Sequence, residues 1–598
     1  MKYEKITKGI FLERPNRFIA YVEIDGKREK VHVKNTGRCM ELLIPGAAVY
    51  VQESAQPGRK TKWDLIAVEK RCVARGADGA AAERLRIVNL DSQSPNQVVG
   101  EWIKEGNMIP GITRVQPEVR YGDSRFDLYV EAGERRVFIE VKGVSLEEEG
   151  RVRFPDAPSE RAVKHVEELA RAVKEGYEAF VFFVVQMKDV DYFTPNTDTH
   201  PEFGEALLKA AEQGVKVVAY DCRTGGDFIE LAEEVPVALT PEEVLRAVRL
   251  QVLKKLPGPL VEWFRGNKRD LPWRKEPEPY HVWVSEIMLQ QTRVEAVKPY
   301  YARFLQALPD VRALAEAEED ELLKLWEGLG YYNRVRNMQK AARQIMVDYH
   351  GEFPREYEEI KSLSGIGNYT AGAISSFAFG EAQPAVDGNV LRVISRITGS
   401  DSDIMKQSVR KNMEDLLRQV IPADASSDFN QGLIELGAIV CVPNGEPNCV
   451  KCPVMGWCRA HAEGRELELP VKKKAAARRI EERTVLIFRD GELRGIRKRP
   501  DRGLLAGLYE LPGLDGHLTR EEVIAYSKSI GLAPIRIQAL GEAKHIFSHV
   551  EWHMKGYQIQ VDELEKSCGG DLIFARPEEI QKRYPIPAAF EKYIAYIM

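Results

Sequence analysis

Two carboxylates, a knot of cysteines and a strand-borne acid–lysine pair are the residues here best suited to chemistry. Glu286 lies in Val282-Trp283-Val284-Ser285-Glu286-Ile287-Met288-Leu289, where helical spacing puts Val282, Glu286 and Leu289 on one face. An acid on an apolar stripe is desolvated, which raises its pKa and keeps a proton available near neutrality. The competing reading is a surface Glu on a helix rotated the other way. Asp387 stands in Val386-Asp387-Gly388-Asn389-Val390. An ionised carboxylate there could steady a developing cation, and Asp-Gly equally makes a common turn. Cys441, Cys449, Cys452 and Cys458 fall within eighteen residues. Four thiolates so close fit zinc or a [4Fe–4S] cluster, and spacing alone does not separate the two.

Glu140-Val141-Lys142 sits in an apolar strand, so alternation puts Glu140 and Lys142 on one face and Ile139 and Val141 on the other. Asp127 is expected to end the polar side of the preceding strand, joined through a turn at Ala132-Gly133-Glu134. Two acids and a lysine can hold Mg²⁺ and steady an attacking water. The alternative is a cross-strand ion pair on an exposed hairpin. In Leu363-Ser364-Gly365-Ile366-Gly367-Asn368-Tyr369, Gly-x-Gly permits a tight turn that brings backbone N–H groups to an anion at a helix start. A plain helix–helix turn has the same look.

The elements that must position these residues follow from patterning. The chain has 598 residues, too many for one core. Residues 1 to about 75 alternate apolar and polar, with a hairpin signal at Asp25-Gly26, and predict a small β barrel. From about 85 to 230, strands (Arg136–Val141, Ala179–Gln186, Val215–Tyr220) mix with helices (Glu160–Lys174, Phe203–Gln213). Thr240-Pro241-Glu242-Glu243 reads as a capping box opening a helical unit that runs to about 465 without a strand. A basic stretch with Lys472, Lys473, Lys474, Arg478 and Arg479 then leads to a hairpin over 484–500, turning at Asp490-Gly491. No tandem repeat stands out.

Net charge is −5, so bulk electrostatics announce no nucleic-acid partner. The charged start, Met1 to Arg17, has no signal-peptide core, and the densest apolar run, Phe180 to Val185, is too short to span a bilayer. A cytoplasmic protein without a membrane partner is expected, and in a reducing compartment the clustered cysteines hold metal rather than disulfides.

Taken in order, Trp283 to Thr292, Leu363 to Ala371, Val386 to Val390 and the cysteines resemble the helix-hairpin-helix DNA glycosylases, specifically the adenine-excising MutY-type branch, over about 245 to 598. The resemblance implies that Glu286 protonates the adenine ring and that Asp387, oriented by Asn389, stabilises the sugar cation. It also implies that the two acids meet, which their separation by 101 positions does not show. Relatives of the endonuclease III type carry a Schiff-base lysine where this chain has Tyr369, so a monofunctional enzyme is expected. Gly365 and Gly367 would hold a DNA phosphate. Tyr331, in Gly328-Leu329-Gly330-Tyr331-Tyr332, resembles the wedge inserted beside a flipped base, and Gln291 and Thr292 resemble opposite-strand contacts. The family implies [4Fe–4S] on the cysteines, although the first gap here is seven residues where six is usual.

Gly503 to Gly513 resembles the entry to a Nudix-like fold. The metal-binding Glu-Glu-x-Gly of Nudix hydrolases is replaced by Lys528-Ser529-Ile530-Gly531, so pyrophosphate cleavage is not expected. Phe547-Ser548-His549 resembles the loop by which adenine glycosylases recognise 8-oxoguanine.

Residues 1 to about 230 resemble SfsA (sugar fermentation stimulation) proteins in Arg14-Pro15-Asn16-Arg17-Phe18, Asn35-Thr36-Gly37-Arg38, Ser124-Arg125-Phe126-Asp127 and Phe154-Pro155-Asp156-Ala157-Pro158. Lys34 departs from the family's proline. The acids Asp127 and Glu140 with Lys142 resemble a PD-(D/E)xK nuclease core. The expected organisation is a small OB-like β barrel (1–80), a nuclease-like α/β domain (81–235), an all-α helix-hairpin-helix glycosylase with an iron–sulfur loop (240–465), a basic linker (466–482) and an α+β Nudix-like domain (483–598). The expected partner is double-stranded DNA with A:8-oxoG or A:G mismatches. A repair glycosylase with an accessory DNA-binding module, a nuclease–glycosylase pair, and a non-catalytic DNA-binding regulator of sugar metabolism all stay open.

Overall fold

The computed structural model describes the chain except residues 36, 55–58, 60, 76–80, 474–477, 548, 563–570 and 598, and the side chains of 73–84. Thr36, Lys474 and Ser548 therefore lie outside the described residues. The chain divides into two compact units, Met1–Lys255 and Leu256–Met598.

The first unit opens with strands β1 (Ile6–Asn16), β2 (Ile19–Ile24), β3 (Lys27–Val33), β4 (Ala48–Glu53), β5 (Trp63–Arg75) and β6 (Ala81–Asn89). Their order is β3-β2-β1-β4-β5-β6, and a parallel β3–β5 pairing closes the sheet into a barrel of the OB type. Alternation explains the closure: Ala20, Val22 and Ile24 of β2 and Val31 and Val33 of β3 all point into the core. The turn at Asp25-Gly26 has φ of 50° and 74°, the left-handed pair that a two-residue hairpin requires.

A second sheet follows, with strand order Ile229–Val235, Lys216–Thr224, Glu178–Val185, Arg135–Val144, Ser124–Ala132, Arg114–Tyr121. The middle strands are parallel and the edges antiparallel. Glu178–Val185 is buried at every position after the first, as a central parallel strand covered on both faces must be. That burial accounts for its unbroken apolar run. Helices Ser94–Lys104, Glu160–Lys174 and Pro201–Glu212 cover the sheet, and the Ser159 hydroxyl caps the second by accepting from Ala162 N.

The capping box at Thr240 and Glu243 forms, but the helix it starts, Pro241–Leu253, belongs to the first unit. Gln251 anchors it there, donating to Glu149 O and Asp191 Oδ2 (2.8 and 2.7 Å). The helical unit thus opens with Pro257–Asn267 rather than at Thr240.

No strand occurs among the described residues from 256 to 478. The C-terminal sheet begins with Arg479–Asp490, inside the stretch read as linker, and turns through Gly491-Glu492, one residue beyond the expected Asp490-Gly491, into Leu493–Lys498. The linker's start is pinned as well: Leu469 is buried and its carbonyl accepts from Arg396. Helix Arg520–Ser529 stands where a Nudix metal helix would, and its Glu522 is used in a capping box with Thr519. Among the described residues, no helix is long and apolar enough to cross a membrane.

Candidate active site and cysteine loop

Glu286 projects from helix Pro279–Met288 into a cavity of about 890 Å³ and is buried. Burial pushes its carboxyl up to about 7. A hydrogen bond from Tyr369 and the positive charge of Arg274 pull the other way, while the Asp387 charge adds to the rise. The Tyr369 hydroxyl donates to Glu286 Oε2 from helix Asn368–Phe377, and its own pKa is driven far up by burial and by these acids.

Asp387 caps helix Gly388–Thr398, its Oδ1 accepting from Asn389 N and Val390 N (2.9 and 2.8 Å). Asn389 Nδ2 donates to Asp387 Oδ2 at 2.8 Å. Burial raises the Asp387 pKa against these donors. Glu286, Tyr369, Asp387, Asn389, Gln291 and Thr292 all line the one cavity.

A second cavity of about 950 Å³ is lined by Tyr331, Gly365, Phe547 and His549, so it lies between the helical and C-terminal domains. Tyr331 has φ of 46° and is half exposed. Phe547 packs edge-on against His545 and Trp552. Gly367 lines neither cavity and caps helix Asn368–Phe377; Gly365, at φ 77°, would bring a Cβ to 2.6 Å from Asn337.

Arginines missed in the sequence hold this ground together. Arg334 donates to Ile287 O (2.7 Å), Gln290 O (2.6 Å), Leu329 O (2.9 Å) and Gly330 O (3.1 Å), tying the Tyr331 loop to the end of the Glu286 helix. Arg392 joins Asn389 Oδ1 (2.9 Å) to Gly437 O (2.7 Å) and Cys441 O (2.8 Å). Arg396 donates to Cys441 Sγ (3.2 Å) and Val442 O (3.0 Å). The i, i+4 spacing of Arg392 and Arg396 on a helix buried from Val390 to Thr398 was a faint signal, and Arg334 carried none.

Cys441, Cys449, Cys452 and Cys458 line one small cavity despite the seven-residue first gap. The loop absorbs the extra residue with Gly445 at φ 77° and a bond from Asn448 N to Val440 O. Four cysteines around one cavity, with the Arg396 guanidinium on one sulfur to offset thiolate charge, could hold a metal centre. His461 and Glu466 lie beside Cys449, and ligand atoms of these three fall within 4.8 Å of one another.

In the first unit Asp127 lies mid-strand between buried Phe126 and Leu128, not at the strand's end as its spacing suggested. The alternative of an exposed hairpin does not hold for Glu140, which is 2% exposed. Asp127 Oδ2 accepts from Val141 N (2.8 Å) and Oδ1 from Asn96 Nδ2 (2.7 Å). Glu140 Oε1 accepts from Lys142 Nζ (2.5 Å) and from buried His165 Nδ1. Glu140 Oε2 is buried with no hydrogen-bond partner among the described residues. Burial, then the Glu140 charge, pushes Asp127 up to about 6. Burial also acts to raise Glu140, but His165 and Lys142 outweigh it and hold that acid below its usual range. Asn96 and His165 carried no sequence signal, being on helices remote from the strand pair.

Family comparisons agree with this geometry. Residues 12–74 match the SfsA N-terminal OB domain and 93–227 the sugar fermentation stimulation protein RE domain. Residues 284–419 match the HhH-GPD superfamily base excision DNA repair protein and 483–596 the NUDIX domain. The sugar fermentation stimulation protein homolog of Ruminiclostridium cellulolyticum is 54% identical over 239 residues, covering 40% of this chain and all of that protein. The adenine DNA glycosylase of Mus musculus is 35% identical over 366 residues, covering 52% of this chain and 71% of that protein. The chain belongs to both families. It is an SfsA module fused to a helix-hairpin-helix base excision repair glycosylase related to adenine DNA glycosylase. Among solved structures, Pyrococcus furiosus SfsA in complex with Ca²⁺ is 28% identical, with a TM-score of 0.35 over 40% of this chain and 98% of that one.

Proposed function

We propose that the Leu256–Met598 unit is a monofunctional adenine glycosylase that removes adenine opposite 8-oxoguanine or guanine and leaves an abasic site. The observation that carries this is Glu286, an acid with a pKa near 7, held by Tyr369 in the same cavity as Asp387. A carboxyl protonated at neutral pH can deliver its proton to a purine nitrogen as the glycosidic bond breaks. The positive charge left on the sugar then faces the Asp387 carboxylate until a water adds at the sugar carbon and gives up a proton, leaving the abasic site. Tyr369 cannot form an imine, so the strand stays whole. Phe547, Ser548 and His549 are the proposed 8-oxoguanine readers, with Tyr331 as wedge and Gln291, Thr292, Gly365 and Gly367 as DNA contacts; the shared cavity of Tyr331, Phe547 and His549 supports that grouping.

The test is a labelled duplex with A opposite 8-oxoG. Base release with strand breakage only after alkali is the expected result, and borohydride trapping of a protein–DNA adduct would contradict it.

Cys441, Cys449, Cys452 and Cys458 would hold a [4Fe–4S] cluster, which supplies a rigid four-thiolate tie for a DNA-facing loop carrying Lys451 and Arg459. Anaerobically purified protein should contain iron and acid-labile sulfide, and Cys452→Ser should lower both together with DNA affinity. One zinc per chain without sulfide would overturn the assignment and bring His461 and Glu466 forward as ligands.

A second activity is favoured by the unpartnered Glu140 Oε2. Asp127 and Glu140 would hold Mg²⁺, and Lys142 would steady the attacking water of a nuclease. Asp127→Ala should then lose Mn²⁺ binding measured by calorimetry, whereas Lys142→Ala should keep the metal and lose cleavage. No divalent binding by the wild-type protein would leave only an ion pair and a non-catalytic DNA-binding module.

A further inference from the structure

The loop that carries Tyr331 is held from two sides, and only one of them belongs to the active site. On that side Arg334 ties it to the end of the Glu286 helix. At its entry, Gly328 has φ of 98° and a Cβ there would lie 2.1 Å from the Tyr300 hydroxyl. Trp326 Nε1 donates to Gly330 O at 3.1 Å. Tyr331 itself, at φ 46°, has a backbone that a side-chain-bearing residue keeps only where its surroundings impose it. The pose of the ring therefore depends on what fixes the chain just before Gly328, and that residue is Glu327.

Glu327 reaches away from the active site. Its Oε1 accepts from Ile586 N of the C-terminal domain (2.9 Å), and its Oε2 pairs with Lys324 Nζ (2.6 Å), which also donates to Tyr584 O (3.4 Å). Asp320 lies one turn before Lys324 on helix Glu319–Leu325 and accepts from the Tyr509 hydroxyl (3.3 Å) and Lys498 Nζ (3.4 Å). Tyr509 N in turn donates to Pro585 O (3.1 Å). One helix face thus carries the C-terminal domain, and the docking is not only polar. Leu508 is buried in the core of the helical domain, and Leu505 packs against the cores of both. Directly after Ile586, Pro587, Ala588 and Ala589 line the cavity shared with Tyr331, Phe547 and His549. The Glu327–Ile586 bond therefore joins the root of the Tyr331 loop to the wall of the cavity assigned to reading the opposite base.

We propose that Glu327 is a positioning residue that couples reading of the opposite base by the C-terminal domain to insertion of Tyr331, so that preference for 8-oxoguanine depends on it. A carboxylate suits this task because a hydrogen bond to an ionised acceptor is about twice as strong as a neutral one. Its two oxygens also serve two masters, Ile586 in one domain and Lys324 in the other. With the bond made, a C-terminal domain seated on the lesion holds the loop root and hence the wedge. With the bond lost, recognition and base flipping proceed as separate events. The proposal rests on the adenine-glycosylase reading above.

The test uses the full chain and two duplexes, adenine opposite 8-oxoguanine and adenine opposite guanine, under single-turnover conditions. Glu327→Ala should reduce the ratio of the two excision rates by about tenfold or more, the fold-change that one hydrogen bond to a charged group supports, with the rate opposite guanine changed less than about twofold. Glu327→Gln keeps an oxygen for Ile586 N and should retain most of the ratio. Flipping is read separately, from the fluorescence of 2-aminopurine in place of the target adenine. Its rise opposite 8-oxoguanine should fall in Glu327→Ala to the level seen opposite guanine. Equal loss of both rates, which a merely structural role would give, an unchanged ratio in Glu327→Ala, or a Glu327→Gln variant as impaired as Glu327→Ala would each overturn the proposal. Wild-type protein that excises adenine from neither duplex would sink the glycosylase reading instead, and the 2-aminopurine signal would still decide the coupling.

Discussion

Glu286→Gln is expected to cut single-turnover adenine release by about 10²–10⁴-fold, the usual worth of a positioned general acid, while duplex affinity holds. Glutamine keeps the size and can still accept the Tyr369 hydroxyl, so only the proton is lost. The wild-type rate should be flat in mild acid and fall about tenfold per pH unit above about 7, where Glu286 ionises. Stability follows with a definite sign. Between the ordinary carboxyl value of 4.5 and about 7 the folded protein holds a proton that the unfolded chain has released, so this group's contribution weakens as pH rises. The shift corresponds to about 3 kcal/mol at most. Glutamine has no such cost, so Glu286→Gln should unfold at a higher temperature than wild type at pH 8. Excision within tenfold of wild type would remove Glu286 from the proposed mechanism.

Local signals in the sequence carried far because each rests on short-range physics. Asp25-Gly26 turns where a left-handed pair is needed, the second hairpin turns one residue later than Asp490-Gly491 with Gly491 at positive φ, and helix Glu160–Lys174 has the bounds its periodicity indicated. The Thr240 capping box was read correctly as a helix start, but a cap does not say which body the helix packs on; Gln251 decides that through Glu149 and Asp191, far off in sequence. Glu286 was legible because an acid on an apolar face is anomalous by itself. Asp387 was not, since only the fold brings it beside an acid 101 positions away. Arg334, Arg392 and Arg396 escaped notice because arginine on a helix is ordinary, and their value lies in the carbonyls and sulfur they find. Asn96 and His165 complete the Asp127–Glu140 cluster from other elements for the same reason.

Asp387→Asn should lower excision by about 10²–10³-fold or more, the scale seen when a charge-stabilising group is removed, while leaving the fold intact. Asparagine caps helices about as well as aspartate, so the bonds to Asn389 N and Val390 N survive through one oxygen and stability should change by about 1 kcal/mol or less. The second oxygen is the vulnerable one. It accepts from Asn389 Nδ2, whose own Oδ1 accepts from Arg392, which in turn donates to Cys441 O. The chain runs one way, from guanidinium through amide to carboxylate. An amide at 387 would meet the Asn389 amide donor to donor, and turning Asn389 round would only move the clash to Arg392. The substituted site thus loses its anion and cannot re-form the relay. Asp387 also helps keep Glu286 protonated, so its neutralisation should move the alkaline fall in rate to below pH 7. A slow enzyme whose fall comes at lower pH is the expected result. A rate within tenfold of wild type, with the fall still near 7, would show that Asp387 neither faces the sugar cation nor acts on Glu286.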